Sequence, residues 1–193
     1  MSRSRRPTSN IDRPAAAAAI DAFLRAIGRD PAREPDLMGT GQRVADAFLD
    51  ELCVGYTVSI DQLVAENRVG AKDAPAVILA RDVPVTIMCP HHLLPAIGKA
   101  QVAFAPKGEL IGVGAIVQLV DALSRRLVLQ ESLSESIVDT LMTHLSPRWA
   151  ACTVRLSHGC MVARGERSHG TTVETLSVRK IAAGEARQVL GAS

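Results

Sequence analysis

Aromatic side chains are scarce in this chain: one Trp, one Tyr and three Phe make up 3% of its 193 residues. Proteins that bind single-stranded nucleic acid stack bases on such side chains, so the composition argues against that class. An excess of one charge is also missing, because 22 Lys and Arg stand against 20 Asp and Glu, for a net charge of +2. This balance favours neither nucleic acid nor an anionic membrane as a partner.

A long uninterrupted apolar run is absent as well. No stretch approaches the roughly 20 residues that a transmembrane helix needs. The basic N-terminus is followed by Asp12 and Arg13, where a signal peptide would have its apolar centre. We therefore expect a cytoplasmic protein whose cysteines are thiols, for which metal binding or catalysis is a better interpretation than a disulfide framework. These cysteines are Cys53, Cys89, Cys152 and Cys160.

Apolar residues make up 47% of the chain, enough for a hydrophobic core. Their spacing predicts helices from Pro14 to near Gly28, from about Gln42 to Cys53, and around residues 113–120 and 133–141. Short β-rich segments are predicted at residues 77–79, 83–88, 100–105, 151–156 and 171–178. This order predicts an α+β fold with an antiparallel sheet covered on one face. We expect a disordered tail (1–12), an N-terminal helical region (13–70) and a main domain (71–193).

One cluster of Cys and His has the spacing of a zinc site. Cys89 and His92 are separated by two residues, so one turn can present a thiolate and an imidazole to the same ion. Cys160, at the end of a later predicted strand, would be the third ligand. Three protein ligands leave one position of a tetrahedral zinc open for a water molecule, whose pKa the metal lowers toward neutrality. His91 and His158 lie next to these ligands and are candidate proton-transfer groups.

Each of these residues also has an ordinary interpretation. A lone C-x-x-H pair is a weak signal, because a buried thiol that packs as a small hydrophobe is commoner than a metal ligand. Cys152 lies in an apolar predicted strand and Cys53 ends an amphipathic helix, so both fit the core. If His158 or Cys152 supplied a fourth ligand, the zinc would be enclosed and its role structural.

Two further groups of residues are candidates for substrate binding. Glu131, at the start of a predicted helix, could accept hydrogen bonds from the N–H edge of a guanine-like base, with Gln130 adding contacts. A carboxylate there would also simply favour the helix N-terminus. Arg164 and Arg43 could each hold a phosphate through a bidentate contact, although a solvated arginine is the default for either.

Three motifs taken together resemble the GTP cyclohydrolase I family: Cys89–Pro95, Ser124–Leu127 with Gln130–Glu131, and His158–Gly165. The resemblance covers roughly residues 14–180. It implies a tunnelling fold, in which an antiparallel sheet is backed by two helices and carries an N-terminal helical extension. It also implies assembly into a ring, a homodecamer in bacterial relatives, with active sites at subunit interfaces.

The resemblance implies a role for each matching position. The zinc ligands would be Cys89, His92 and Cys160, and the catalytic histidines His91 and His158. Glu131 would hold the guanine beside Gln130. Phosphate contacts would come from Arg164 and from Arg43 in a neighbouring subunit's site. If GTP is the substrate, Arg125 and Arg126 would join them in compensating for cations that the family has and this chain lacks. The implied reaction begins with attack of zinc-activated water on C8 of GTP and yields formate and 7,8-dihydroneopterin triphosphate, in pterin and tetrahydrofolate biosynthesis.

The resemblance breaks at positions that would face the triphosphate. Where the family has Ser, Lys and Arg, this chain has Gly114, Ala115 and Gln118, and Pro90 replaces the Glu that usually follows the first zinc Cys. A charge-assisted contact is worth roughly 1.5–3 kcal/mol, so two lost cations would weaken triphosphate binding by orders of magnitude. One alternative is therefore a diverged enzyme that opens a less phosphorylated purine or related heterocycle without full pterin formation.

Two other classes of protein are alternatives for the same residues. A catalytically weak binding or regulatory subunit would have no need of an open zinc position, which the intact Cys89, His92 and Cys160 set provides. A reductase of the same fold class would use a Cys nucleophile and a nicotinamide cofactor, and the chain shows no dinucleotide-binding fingerprint.

Overall fold

The N-terminal part of the protein is helical in the computed structural model, which describes residues 11–70, 73–165 and 167–191. It contains helices α1 (Arg13–Ala26), α2 (Thr40–Asp46) and α3 (Ile60–Asn67). Short 3-10 turns at Pro35–Leu37 and Val54–Thr57 and a π-helical turn at Ala47–Leu52 connect them. The predicted tail lies outside the described residues except for Ile11 and Asp12. No helix in the described ranges is long and apolar enough to cross a membrane.

The ends of α1 confirm the predicted start and stop signals. The Asp12 carboxylate accepts a hydrogen bond from the Ala15 backbone N–H at 2.9 Å, and Pro14 occupies the first turn. Gly28 follows the helix with φ +84°, a conformation that costs glycine little. The second predicted helix begins two residues early, at Thr40, and winds into the π-helical turn after Asp46. The division of the chain at residue 70 stays a prediction.

Among the described residues, four long strands form one antiparallel sheet, in which strand order follows chain order. They are β2 (Ile78–Met88), β3 (Pro95–Ala105), β5 (Trp149–His158) and β6 (Val173–Arg179). Strands β1 (Arg68–Gly70) and β4 (Glu109–Ile111) pair separately. Met88 pairs with Pro95 and Ala96 pairs with His158, so β2 ends, β3 begins and β5 ends at the same end of the sheet. We call this end of the sheet the hairpin end.

Helices α4 (Val113–Ser124) and α5 (Gln130–Leu145) cover one face of the sheet. Their buried side chains, among them Leu119 and Ile137, pack against alternate strand residues such as Val85, Phe104 and Val154. Burial of this continuous apolar layer is the main source of stability for such a fold. The structure thus confirms the predicted α+β fold with an antiparallel sheet backed by two helices.

In addition to the predicted cover on one face, the opposite face of the sheet is partly covered. A C-terminal helix, α7 (Ala183–Leu190), packs there through Ala186 and Leu190 against Ala103 and Ala151. The alanine side chains on this face of β3 and β5 are small, so a helix can pack close to the sheet. A short helix, α6 (Gly159–Val162), follows β5 directly.

Candidate functional site

The turn between β2 and β3 carries two of the predicted zinc ligands at the hairpin end. The backbone N–H of Cys89 donates to the Leu94 carbonyl at 3.0 Å, and that of Leu93 donates to the Cys89 carbonyl at 2.8 Å. Leu93 closes the turn with φ +52°. Cys89 is only 8% exposed, whereas His91 and His92 are exposed. The turn therefore keeps its thiol inside and presents both imidazoles on the surface.

Helix α6 places Cys160 at the hairpin end too. It starts immediately after His158, beside the beginning of β3. A Cβ built on Gly159 would lie 2.8 Å from the Pro95 carbonyl oxygen, so only glycine allows the chain to pass this closely. Cys160 is half-buried and lies in α6, two residues beyond the last residue of the strand at whose end it was predicted.

Arg164 joins the segment after α6 to the β2–β3 turn. Its Nη1 lies 2.7 Å from Nε2 of His92, and both residues are exposed. A guanidinium only donates hydrogen bonds and stays protonated, so Nε2 of His92 must be the acceptor. A neutral imidazole has one nitrogen with a free lone pair, and here that lone pair faces Arg164.

The predicted metal ligands lie at the same end of the sheet but do not form a closed cluster. Within the described ranges, no group of three or more His, Cys, Asp or Glu side chains is close enough to hold a metal ion. Two thiols and one imidazole are nevertheless donors that zinc prefers, and Cys89, His92 and Cys160 all lie in the turn or in α6. This donor set fits zinc in its chemistry, and its three members lie in the same part of the fold.

The amide of Gln130 is used inside the protein. Gln130 is the first residue of α5 and is 1% exposed. Its Nε2 donates to the carbonyl oxygens of Val154 at 2.7 Å and Val173 at 3.0 Å, with Thr175 Oγ1 at 3.4 Å. Its Oε1 lies 2.7 Å from Nε2 of His158. The side chain that was predicted to touch a purine therefore connects α5, the last two strands of the sheet and a candidate catalytic imidazole.

Glu131 is placed differently from its neighbour Gln130. It is exposed in the first turn of α5. A carboxylate there favours the helix N-terminus and remains accessible to a ligand, so both interpretations made from the sequence are compatible with its position.

Two of the predicted phosphate-binding arginines have local partners near the end of α4. The Nε–H of Arg125 donates to the Asp121 carboxylate at 2.7 Å. The Nε–H of Arg126 donates to the Ala122 carbonyl at 2.8 Å, and its guanidinium lies 5.7 Å from the centre of the Tyr56 ring. Burial lowers the pKa of Arg126 from its usual value.

Arg43 lies on α2, in the N-terminal helical part. Its guanidinium donates to the Met38 carbonyl at 2.8 Å and to Thr40 Oγ1 at 2.9 Å. Arg164 is thus the predicted phosphate contact that the structure places at the hairpin end.

The positions that depart from the family pattern lie in the first turns of α4. Gly114 is exposed, with open space where a Cβ would be, while Ala115 is 3% exposed and belongs to the core. Gln118 is exposed and lines a cavity of about 520 Å³ together with Val117 and Asp121. These turns therefore present no cation to a ligand.

The remaining two cysteines fit packing roles. Cys152 is fully buried on β5, and burial strongly raises the pKa of its thiol, which confirms the prediction that it belongs to the core. Cys53 is half-buried after the π-helical turn, and burial raises its thiol pKa as well. Burial in apolar surroundings makes such thiols unreactive.

Comparison with known proteins agrees with the motifs. A family model described as GTP cyclohydrolase I matches residues 16–189. The GTP cyclohydrolase 1 of Allorhizobium ampelinum is 39% identical over 168 residues, covering 87% of this chain and 83% of that protein. The GTP cyclohydrolase 1 of Caldanaerobacter subterraneus is 36% identical over 173 residues, covering 89% of each chain. Among solved structures, the archaeosine synthase QueF-Like in its apo form is 16% identical and covers 57% of this chain, with a TM-score of 0.48.

Proposed function

The chain belongs to the GTP cyclohydrolase I family, and from that membership we propose that it opens the imidazole ring of GTP at C8. The products are formate and 7,8-dihydroneopterin triphosphate, with a net consumption of one water. The observation that carries the proposal is that two thiols and three imidazoles from separate parts of the chain lie at the hairpin end. They belong to Cys89, His91, His92, His158 and Cys160.

We propose that Cys89, His92 and Cys160 hold a zinc ion. A zinc ion with three protein ligands supplies an activated water near neutral pH. Before binding, His92 would have to release the guanidinium of Arg164, which donates to its Nε2. Arg164 would then be free to contact a phosphate, the role that its bidentate geometry suits.

The other residues of the hairpin end would bind the purine and move protons. His158, fixed by Gln130, and His91, exposed on the turn, would exchange protons with the ring nitrogens as bonds to C8 break. The Glu131 carboxylate would accept hydrogen bonds from the N–H edge of the guanine, since it is exposed beside Gln130.

We further propose that the protein works in the cytoplasm as a ring-shaped homo-oligomer such as a homodecamer. Arg43, on α2, would then serve the site of a neighbouring subunit, as the family resemblance implies. Light scattering on the purified chain would measure the assembly mass, and a monomer would contradict this part of the proposal.

A second candidate substrate is a less phosphorylated purine. The first turns of α4 carry Gly114, Ala115 and Gln118, which provide no positive charge. Arg125 and Arg126, which could compensate, have partners near the end of the same helix. A site with Arg164 as its main cation suits one phosphate, or none, better than three.

The deciding experiment incubates zinc-loaded protein with GTP, GMP, guanosine and guanine in parallel, and measures formate together with the ultraviolet spectrum. Formate with a pterin chromophore from GTP alone supports the first candidate. Formate released faster from GMP or guanosine, or without a pterin chromophore, supports the second. Stoichiometric zinc without formate from any of the four would overturn both and indicate a binding or regulatory subunit.

Three matched substitutions test the division between ligands and proton-transfer groups. We expect Cys160→Ala to lose both zinc and turnover. His158→Ala should keep zinc and lose turnover. Cys53→Ala, which removes a half-buried thiol elsewhere, should keep both. If His158→Ala also lost zinc, the assigned roles would be wrong.

A further inference from the structure

We propose that Gln130 is a positioning residue that fixes the orientation and tautomer of His158, so that Nδ1 of His158 is the atom that exchanges protons with the substrate. This inference rests on the proposed function, because His158 transfers protons only in that reaction. It differs from the sequence interpretation, in which Gln130 itself touches the purine.

The first step is the orientation of the Gln130 amide. Its nitrogen has two hydrogens, and the two nearest acceptors are the carbonyl oxygens of Val154 at 2.7 Å and Val173 at 3.0 Å. Carbonyl oxygens only accept hydrogen bonds. Turning the amide over would set Oε1 against both of them in a site that is 1% exposed. The nitrogen must therefore face the two carbonyls, and Oε1 must face His158.

The second step is the tautomer of His158. Oε1 of Gln130 is an acceptor, and it lies 2.7 Å from Nε2 of His158. Nε2 therefore carries the proton. A neutral imidazole has one N–H, so its free lone pair is on Nδ1. In this arrangement Nδ1 is the nitrogen that can take a proton from a reacting group.

The third step is the rigidity of the support. Val154 and His158 both lie on β5, Val173 begins β6, and Gln130 begins α5. One buried amide thus joins three elements at the place where β5 ends. Groups held in this way keep a catalytic side chain in its productive geometry, which contributes to rate without adding affinity. Both amide hydrogens are committed within the protein, so a purine would have to displace a backbone contact to use them.

The tautomer can be read on the unaltered protein. Full-length protein labelled with 15N-histidine and sedimented for magic-angle-spinning NMR reports which ring nitrogen carries hydrogen. The His158 signals are assigned by their loss in His158→Ala. We expect neutral His158 to be protonated at Nε2. Protonation at Nδ1 would overturn the proposal, whether or not any Gln130 variant folds.

Kinetics then separate positioning from substrate contact. Gln130→Met keeps the length of the side chain and removes its polar atoms, and we expect kcat for GTP to fall roughly 10- to 100-fold with KM nearly unchanged, as for loss of a residue that only orients a functional side chain. Gln130→Glu keeps an oxygen opposite His158 and, when protonated, an O–H for one carbonyl, so it should recover part of kcat. A raised KM with kcat unchanged would mean that Gln130 binds the substrate, and would overturn the proposal.

A control variant on the same helix tests for mere loosening of α5. Ser134 lies one turn further on, is buried, and shares a hydrogen bond of 2.9 Å with Ser177 on β6. The Ser134 hydroxyl also donates to the backbone carbonyl of Glu131 at 2.9 Å. Ser134→Ala should leave kcat unchanged, because neither contact reaches His158 or the Glu131 carboxylate. An equal loss of kcat in Ser134→Ala and Gln130→Met would overturn the positioning role. If the unaltered protein released no formate, the proposed function would fail, and the NMR result would still decide the tautomer.

Discussion

Replacing Gly159 by alanine tests whether the close passage of α6 over β3 builds the candidate site. The added Cβ would lie 2.8 Å from the Pro95 carbonyl oxygen and 3.5 Å from Cβ of Leu94. Comfortable contacts are about 3.5–4.0 Å, and the nearest neighbour is backbone, so relief requires the start of α6 to move away from β3 by roughly half an ångström or more. Overpacking of this kind costs about 1–3 kcal/mol of unfolding free energy.

For a chain of this length, such a loss corresponds to a fall in Tm of roughly 2–12 °C. Because Cys160 is the next residue, zinc affinity should fall together with Tm. The assay combines thermal unfolding followed by circular dichroism with metal content after dialysis against a fixed free zinc concentration. Gly184→Ala in α7 is the matched control, since its Cβ meets nothing within 4 Å and should leave zinc content unchanged. Unchanged Tm and zinc content in Gly159→Ala would refute the reasoning.

Three further predictions concern other contacts. Arg164→Ala should tighten zinc or cobalt binding roughly two- to tenfold in a chelator competition, because one hydrogen bond of about 0.5–1.5 kcal/mol no longer competes for the ring of His92; equal or weaker affinity would contradict it. Cys152, fully buried with a raised thiol pKa, should react with a thiol reagent only after unfolding, so rapid labelling of the native protein would count against its core position. A hydrogen bond from the Arg13 guanidinium lowers the pKa of Asp50. Arg13→Ala should therefore lower Tm above the pKa of an unfolded Asp, about 4, and the difference in Tm should disappear as pH falls through the lower pKa of folded Asp50. A difference that persisted in acid would contradict this.

The sequence was sufficient for the type of fold and for most of its elements, because apolar spacing reports directly on burial. Strand β2 shows where that signal weakens: the segments predicted at 77–79 and 83–88 are one strand with an irregular register between Ala80 and Val83. Arg81 and Asp82 interrupt the alternation there, and Asp82 has φ +54°. Helices α3 and α7 were not predicted, since each is only eight residues long.

For the candidate site, the residue types were predictable and their partners were not. The spacing of Cys89, His92 and Cys160 predicted a shared zinc site; all three lie at the hairpin end, and the shared site itself stays a prediction. The partners of Gln130 are two backbone carbonyls and an imidazole far away along the chain. Every residue has a backbone carbonyl, so the sequence does not indicate which carbonyls a side chain will contact. The same holds for Arg164, which the pattern assigned to a phosphate and the structure sets against His92.

The contact between Arg164 and His92 has a thermodynamic consequence if His92 is a metal ligand. A phosphate-bearing ligand that binds the Arg164 guanidinium then also raises the affinity of the His92 imidazole for the metal ion. By thermodynamic linkage, the metal ion raises the affinity for the phosphate ligand by the same factor. When the metal is scarce, nucleotide would help to recruit it, and a protein stripped of metal would bind nucleotide weakly.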